Sequence, residues 1–212
     1  MTDSPLPPAA ADDASLKALR RTLRARRRAV PAAERRSAAL ALARRVERAG
    51  LLCPGRRLGL YLPLPEEIDT RVLLQRALRR GCRVYVPRVT DYRRHQMRFL
   101  PIAGRLKSSR YGILEPRGGI ARTAHGLDVI LMPLVGFDAR GNRIGMGKGY
   151  YDRALAFLQQ RRCYRRPLLV GLAFDCQRVA ALPARPHDVP LGRVITPTTV
   201  YRFASAPRHP GP

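Results

Sequence analysis

LMPLVGFDARGNRIGMGKGYYDRAL, residues 131–155, divides into three parts, and the division decides the fold. The apolar run Val129 to Met132 reads as a buried strand. Glycines at 141, 145, 147 and 149, interleaved with Arg143 and Lys148, read as a loop. YYDRALAFLQQ reads as a helix from Tyr150. Strand, Gly-rich basic loop and helix N-terminus together form an anion-binding geometry, because free N–H groups and the helix dipole favour negative charge. A Rossmann G-x-G-x-x-G needs glycine at 150, where Tyr150 stands, and no Ser or Thr follows Lys148 as a Walker loop requires. Asp152, in the first helical turn, is placed to hold a metal bound to phosphate or simply to complement the dipole. Lysine occurs only at 17, 107 and 148 in a chain with 41 Lys plus Arg. Lys148 between two glycines is therefore notable, since Lys meets phosphate as a compact point charge.

Outward from this stretch, strands and helices alternate. Leu16, Leu19 and Leu23 share one face of a helix over 15–29, with Arg20, Arg21, Arg24, Arg26, Arg27 and Arg28 on a solvated face. Pro31 starts a second helix that stops at Gly50. LGLYL (58–62) is a strand. Asp69 or Thr70 caps a helix through Arg80, ended by Gly81. VYV (84–86) and MRFLPI (97–102) are further strands, and YGILEPRGG (111–119) is loop. LLVGLAF (168–174) is a buried strand and VIT (194–196) a last edge strand. The pattern predicts a single α/β domain over 15–203, with a mainly parallel open sheet and helices on both faces. The ends, 1–14 and 204–212, read as disordered tails. Ligands of such sheets bind beyond the strands' carboxyl ends, where PLPEE, PLVGFDARGNRIGMGKG and DCQ begin.

The chain has 212 residues and a formal net charge of +26. It carries no run long enough to span a bilayer and no basic-then-apolar leader. Cys53, Cys82, Cys163 and Cys176 lack C-x-x-C or finger spacing, which predicts buried reduced thiols and a cytoplasmic location. The charge has two readings. One is a partner of opposite charge, whether nucleic acid, an anionic membrane or an acidic substrate; the other is arginine enrichment spread over a solvated exterior.

Six segments, in this order, resemble the 5-formyltetrahydrofolate cyclo-ligase family: LRRTLRARRRAV (19–30), YLPLPEEIDT (61–70), VPR (86–88), YGILEP (111–116), PLVGFDARGNRIGMGKGYYDRAL (133–155) and QRVAALPARPHD (177–188). The resemblance implies ATP- and Mg²⁺-dependent closure of the N5-formyl group onto N10, giving 5,10-methenyltetrahydrofolate, ADP and phosphate. It implies Arg143 and Lys148 as catalytic cations, and ATP contacts from Lys17, Arg20, Arg143, Gly145, Gly147, Lys148, Gly149, Tyr150 and Tyr151. Folate contacts fall on Leu62, Glu67 and Tyr151, and metal carboxylates on Asp152 and Asp188, with His187 orienting the latter. Tyr150 and Tyr151 read equally as core residues at a helix start, and Glu67 as an exposed loop carboxylate. Two positions depart from the family pattern. Its N-terminal lysine falls on Leu16, with Lys17 next to it, and a later aspartate falls on Gly192. A second reading keeps the scaffold as a basic RNA-associated protein without ligase activity. A contiguous arginine stripe remote from the Gly loop would favour RNA, and scattered arginines the enzyme. If the chain is the enzyme, the charge further predicts a preference for polyglutamylated folate.

Overall fold

The structure is a computed structural model that describes residues 13–102, 106–108, 112, 114–116, 118–160, 166–183, 185 and 188–203. Most of both predicted tails, 1–12 and 204–212, therefore lies outside the described residues, as do Cys163 and His187. The chain opens with α1 (Asp13–Arg28) and α2 (Ala32–Arg48), separated at Pro31 as its fixed φ suggests. β1 (Arg57–Leu60), α3 (Arg71–Arg79), β2 (Arg83–Asp91) and β3 (Gln96–Pro101) follow. Thr70 takes the N-cap position of α3, but its hydroxyl donates to the Tyr61 carbonyl at 2.7 Å. Asp69 accepts the Arg71 N–H instead, at 2.9 Å.

The segment read as loop at 111–119 contains a strand. Leu114–Pro116 (β5) pairs antiparallel with Leu106–Ser108 (β4). Next come β6 (Val129–Pro133) and a hairpin of β7 (Gly136–Phe137) and β8 (Arg143–Ile144). This hairpin lies inside the expected Gly-rich loop; each strand has only two residues, too few to show a period of two. The helix expected over 150–160 is two short ones, α4 (Tyr150–Leu155) and α5 (Phe157–Gln160), parted at Ala156. β9 (Leu168–Leu172), β10 (Arg193–Ile195) and β11 (Val200–Arg202) complete the chain. The 194–196 segment is thus not the edge, because β11 pairs antiparallel outside it.

The main sheet has seven strands in the order β11-β10-β9-β6-β1-β2-β3. Pairings from β10 through β9, β6 and β1 to β2 are parallel, and β3 and β11 close the edges antiparallel. Along β6, Val129 and Leu131 face a core built with Leu42, Val46, Leu73 and Ala77 of α2 and α3. Ile130 and Met132 face the opposite core, with Leu155 and Leu158 of α4 and α5. Burial on both faces is why β6 reads as an unbroken apolar run. Helix α1 belongs to neither layer. Leu16 and Leu23 pack on Val135, Ile144 and Leu182, so it lies across segments that leave the sheet's carboxyl end.

Gly171 of β9 sits where the second core is tightest. A methyl there would overlap Leu134 and come within 2.9 Å of Leu191 Cδ1 and 3.1 Å of Val194 Cγ2. Gly171→Ala is expected to cost about 1–3 kcal/mol through overpacking. Urea unfolding followed by circular dichroism measures it, and an unchanged midpoint would mean that this core gives way freely. Of the described cysteines Cys82 is buried, whereas Cys53 and Cys176 are only partly so, in contrast to the burial expected of all. Among the described residues no helix is long and apolar enough to cross a membrane.

Candidate active site

From β1 the chain crosses to β2 on one side, then returns to β6, β9 and β10 on the other. The connections diverge between β1 and β6, the place where open parallel sheets bind ligands. The segments after these two strands frame a cavity of ≈530 Å³. Leu62 and Glu67 line it from the β1 side, and Arg143, Gly145, Gly147, Lys148 and Gly149 from the β6 side. Tyr150, Tyr151 and Asp152 of α4, Asp188 and Arg20 of α1 complete the set the sequence singled out. Lys17 is the exception. It is exposed and outside the lining, whereas Leu16, at the position of the family's lysine, is 5% exposed and faces the cavity. One residue of helix rotates a side chain by about 100°, so two neighbours do not share a face.

The basic loop is held from below by a carboxylate that the sequence reading did not single out. Asp138, 1% exposed, accepts the N–H groups of Arg140 and Asn142, the Asn142 amide and the Leu182 N–H, at 2.9–3.0 Å. This fixes the turn between β7 and β8 and ties it to the 179–183 segment. Arg143, opposite Phe137 in that hairpin, donates to Asp152 Oδ1 and to the Val189 carbonyl beside Asp188. The guanidinium therefore lies between the elements that carry the two candidate metal carboxylates. Gly149 adopts φ +67° ahead of α4, where a Cβ would press on Arg153, whose guanidinium caps the Lys148 carbonyl at 3.0 Å. With six residues in α4, the helix dipole is weaker than an eleven-residue helix would supply. The positive charge on this side of the cavity comes from side chains: Arg20, which donates to the Gly145 carbonyl at 3.1 Å, with Arg143 and Lys148.

The other side of the cavity is drier. Burial pushes the Glu67 carboxyl above its ordinary range, against the Leu64 N–H it accepts and the nearby Arg27 charge. Burial likewise raises the phenols of Tyr61 and Tyr151, with the Glu67 charge acting in the same direction. The exposed-loop reading of Glu67 is thus corrected: it is half-buried and lines the cavity.

The arginines of α1 also differ from a plain solvated face. Arg24, Arg27 and Arg28 all reach Glu66, at 2.8, 2.8 and 2.9 Å. Arg27 is 1% exposed. Gln177, also 1% exposed, donates to the Leu134 and Val135 carbonyls and accepts the Phe174 N–H. Glu66 and Gln177 lie in segments the sequence singled out, but local pattern shows neither the three-arginine cluster nor the buried bridge. Gly192 lies outside the cavity lining and bonds Leu169 and Phe203 through its backbone. Among the described residues no group of three or more His, Cys, Asp or Glu could hold a metal. Asp152 and Asp188 remain as a two-carboxylate set on one cavity.

A profile of the 5-formyltetrahydrofolate cyclo-ligase family matches residues 12–197. The chain is 37% identical over 147 residues to the 5-formyltetrahydrofolate cyclo-ligase of Escherichia coli K12, covering 68% of this chain and 79% of that protein. It is 36% identical over 141 residues to that of Haemophilus influenzae, covering 64% and 73%. The solution structure of Aquifex aeolicus 5,10-methenyltetrahydrofolate synthetase superposes with a TM-score of 0.74 at 25% identity, covering 92% of this chain and 99% of that one. With the profile spanning nearly the whole α/β domain and its switch-point cavity, the chain belongs to the 5-formyltetrahydrofolate cyclo-ligase family.

Proposed function

We propose that this protein is a cytoplasmic ATP-dependent ligase that cyclises 5-formyltetrahydrofolate to 5,10-methenyltetrahydrofolate, releasing ADP and phosphate. The observation that carries the reading is one cavity with a basic side, built from Arg20, Arg143 and Lys148, and a desolvated side bearing Leu62, Glu67 and Tyr151. The basic side suits a triphosphate, and the drier side a flat heterocycle. The formyl oxygen attacks the γ-phosphorus and ADP departs. N10 then attacks the activated carbon, loses its proton, and expels phosphate. Such transfer depends on positioning and on charge placed in advance. Lys148 meets charge that develops on the phosphoryl group, Arg143 holds Asp152 toward the cavity, and Arg20 fastens α1 to the loop. Asp152 and Asp188 suit Mg²⁺, which commonly takes one or two carboxylates together with substrate phosphates. When bound, Mg²⁺ neutralises phosphate charge. Mixing the protein with 5-formyltetrahydrofolate and MgATP should produce the methenyl absorbance. No absorbance with both substrates saturating would reject the assignment.

The arginines paired with Glu47, Glu66, Asp69 and Asp128 are spread over α1, β1, α3 and the positions of Arg80 and Arg166. That dispersion supports the enzyme over an RNA-associated role. The surplus of positive charge still acts at a distance. Each glutamate added to a folate tail adds a carboxylate, so KM is expected to be lower for the pentaglutamyl than for the monoglutamyl substrate at low salt. The gap should close as the Debye length falls from ~10 Å at 0.1 M to ~3 Å at 1 M. Equal KM values at low salt would leave the charge without this role.

A further inference from the structure

The YGILEP motif has no part in the phosphate or metal chemistry above, yet its Glu115 is a buried carboxylate. Glu115 is 5% exposed and lines the same cavity from β5, which lies against β2. The Val89 N–H donates to it, and Arg88 Nε stands 4.0 Å away. Around it the cavity wall is apolar, with Pro87 and Val89 of β2 and Met97, the register partner of Val89 on β3, while Lys107, the register partner of Glu115 on β4, adds a second positive charge beside Arg88. Burial raises its carboxyl above the ordinary range. A carboxylate in such a wall is costly unless a ligand brings further donors.

The chemistry of the proposed substrates separates the candidates. Phosphates and the glutamate tail are anions, which a buried carboxylate repels. The adenine edge sets one amino donor beside a ring acceptor. The pterin's 2-amino group and N3–H are two adjacent donors, and a carboxylate offers two oxygens to match. Glu67 stands elsewhere, beside Tyr61 and Tyr151 and next to the phosphate loop. That is where the reacting N5 edge of the pterin would lie, and N3 is on the ring edge away from N5. We propose that Glu115 is a specificity-determining residue that accepts hydrogen bonds from the 2-amino and N3–H groups of the pterin. This rests on the cyclo-ligase reading for the identity of the ligand.

The test compares wild type and Glu115→Gln with 5-formyltetrahydrofolate and with its 2-desamino-2-methyl analogue. The variant should raise KM for the natural substrate about tenfold or more, the scale expected for losing a charge-assisted bond to a substrate donor. Its kcat and its KM for ATP should stay unchanged, and on the analogue, which keeps only the N3–H donor, the variant's penalty should be clearly smaller. Equal penalties on both substrates, or none on the natural one, overturn the proposal. Calorimetric Kd values for the two folates repeat the comparison without turnover. An inactive wild type that binds folate would therefore reject the ligase reading while still deciding this one, and failure to bind either folate would reject both. If Glu115→Gln unfolds, Glu115→Asp must show the same substrate-selective loss or the idea fails.

Discussion

Lys148→Ala is expected to lower kcat on the order of 10²-fold while KM for folate changes little, as when one donor to a developing charge is removed. The effect should fall on the chemical step because the cation meets charge that grows on the phosphoryl group between ground and transition state. Two unit charges about 4 Å apart interact by roughly 4 kcal/mol at an effective dielectric near 20, so one misplaced cation matters. The other cations cannot substitute. Arg143 is committed to Asp152 and the Val189 carbonyl, and Arg20 to the Gly145 carbonyl. Lys148→Arg should restore only part of the rate, because the longer planar fork does not reproduce a compact ammonium. Single-turnover kinetics with ATP saturating provide the measurement. Normal turnover by the alanine variant would reduce the 145–149 segment to a structural turn.

Glu66→Ala should destabilise the fold by about 3 kcal/mol, the lower end of what breaking a buried ion pair costs. The reason is Arg27, whose side chain is 2% exposed and whose Nη2 is 2.8 Å from Glu66 Oε1. That contact is an ion pair without hydrogen-bond alignment; among the described residues Arg27 Nε and Nη2 have no hydrogen bond. Arg27 Nη1 reaches the Leu134 carbonyl at 3.4 Å. Without Glu66, the guanidinium is a buried charge left with only the nearby Glu67 carboxyl, which burial biases toward its neutral form. Arg24 and Arg28 are 37% and 58% exposed, so their share is screened and small. Arg27→Met is therefore expected to cost well under half as much, because it leaves Glu66 with two solvated partners. The chain has no tryptophan, so urea unfolding is followed by far-ultraviolet circular dichroism. Equal losses in the two variants would show that the cluster is a surface network. Glu66→Ala should also raise KM for ATP, since Glu66 holds α1, and with it Arg20, against the cavity.

Residues 129–132 and, as far as Leu172, 168–174 read correctly as strands because burial on both faces leaves a continuous apolar run, a signal carried within a few residues. The helices of 15–50 and 71–80 were equally legible, from their apolar spacing and from Pro31 and Gly81. The candidate site was legible too, since the glycines, the lysine between two of them and the separate motifs stand in order along the chain. By itself the sequence determined the α/β class, the strands whose ends frame the cavity, and a set of site residues that, Lys17 apart, all line it. It did not place Lys17, because adjacent helical residues face different ways and only the docking of α1 decides which one turns inward. Nor did it reveal the short strands at 106–108, 136–137 and 200–202, which exist through partners rather than through period. Arg24 meets Glu66 across 42 residues and Arg20 meets Gly145 across 125. Such contacts carry no local signature, since they form only when the chain closes and water leaves. Tertiary structure alone decided which arginines are buried, which carboxylates are desolvated, and where Arg143 points.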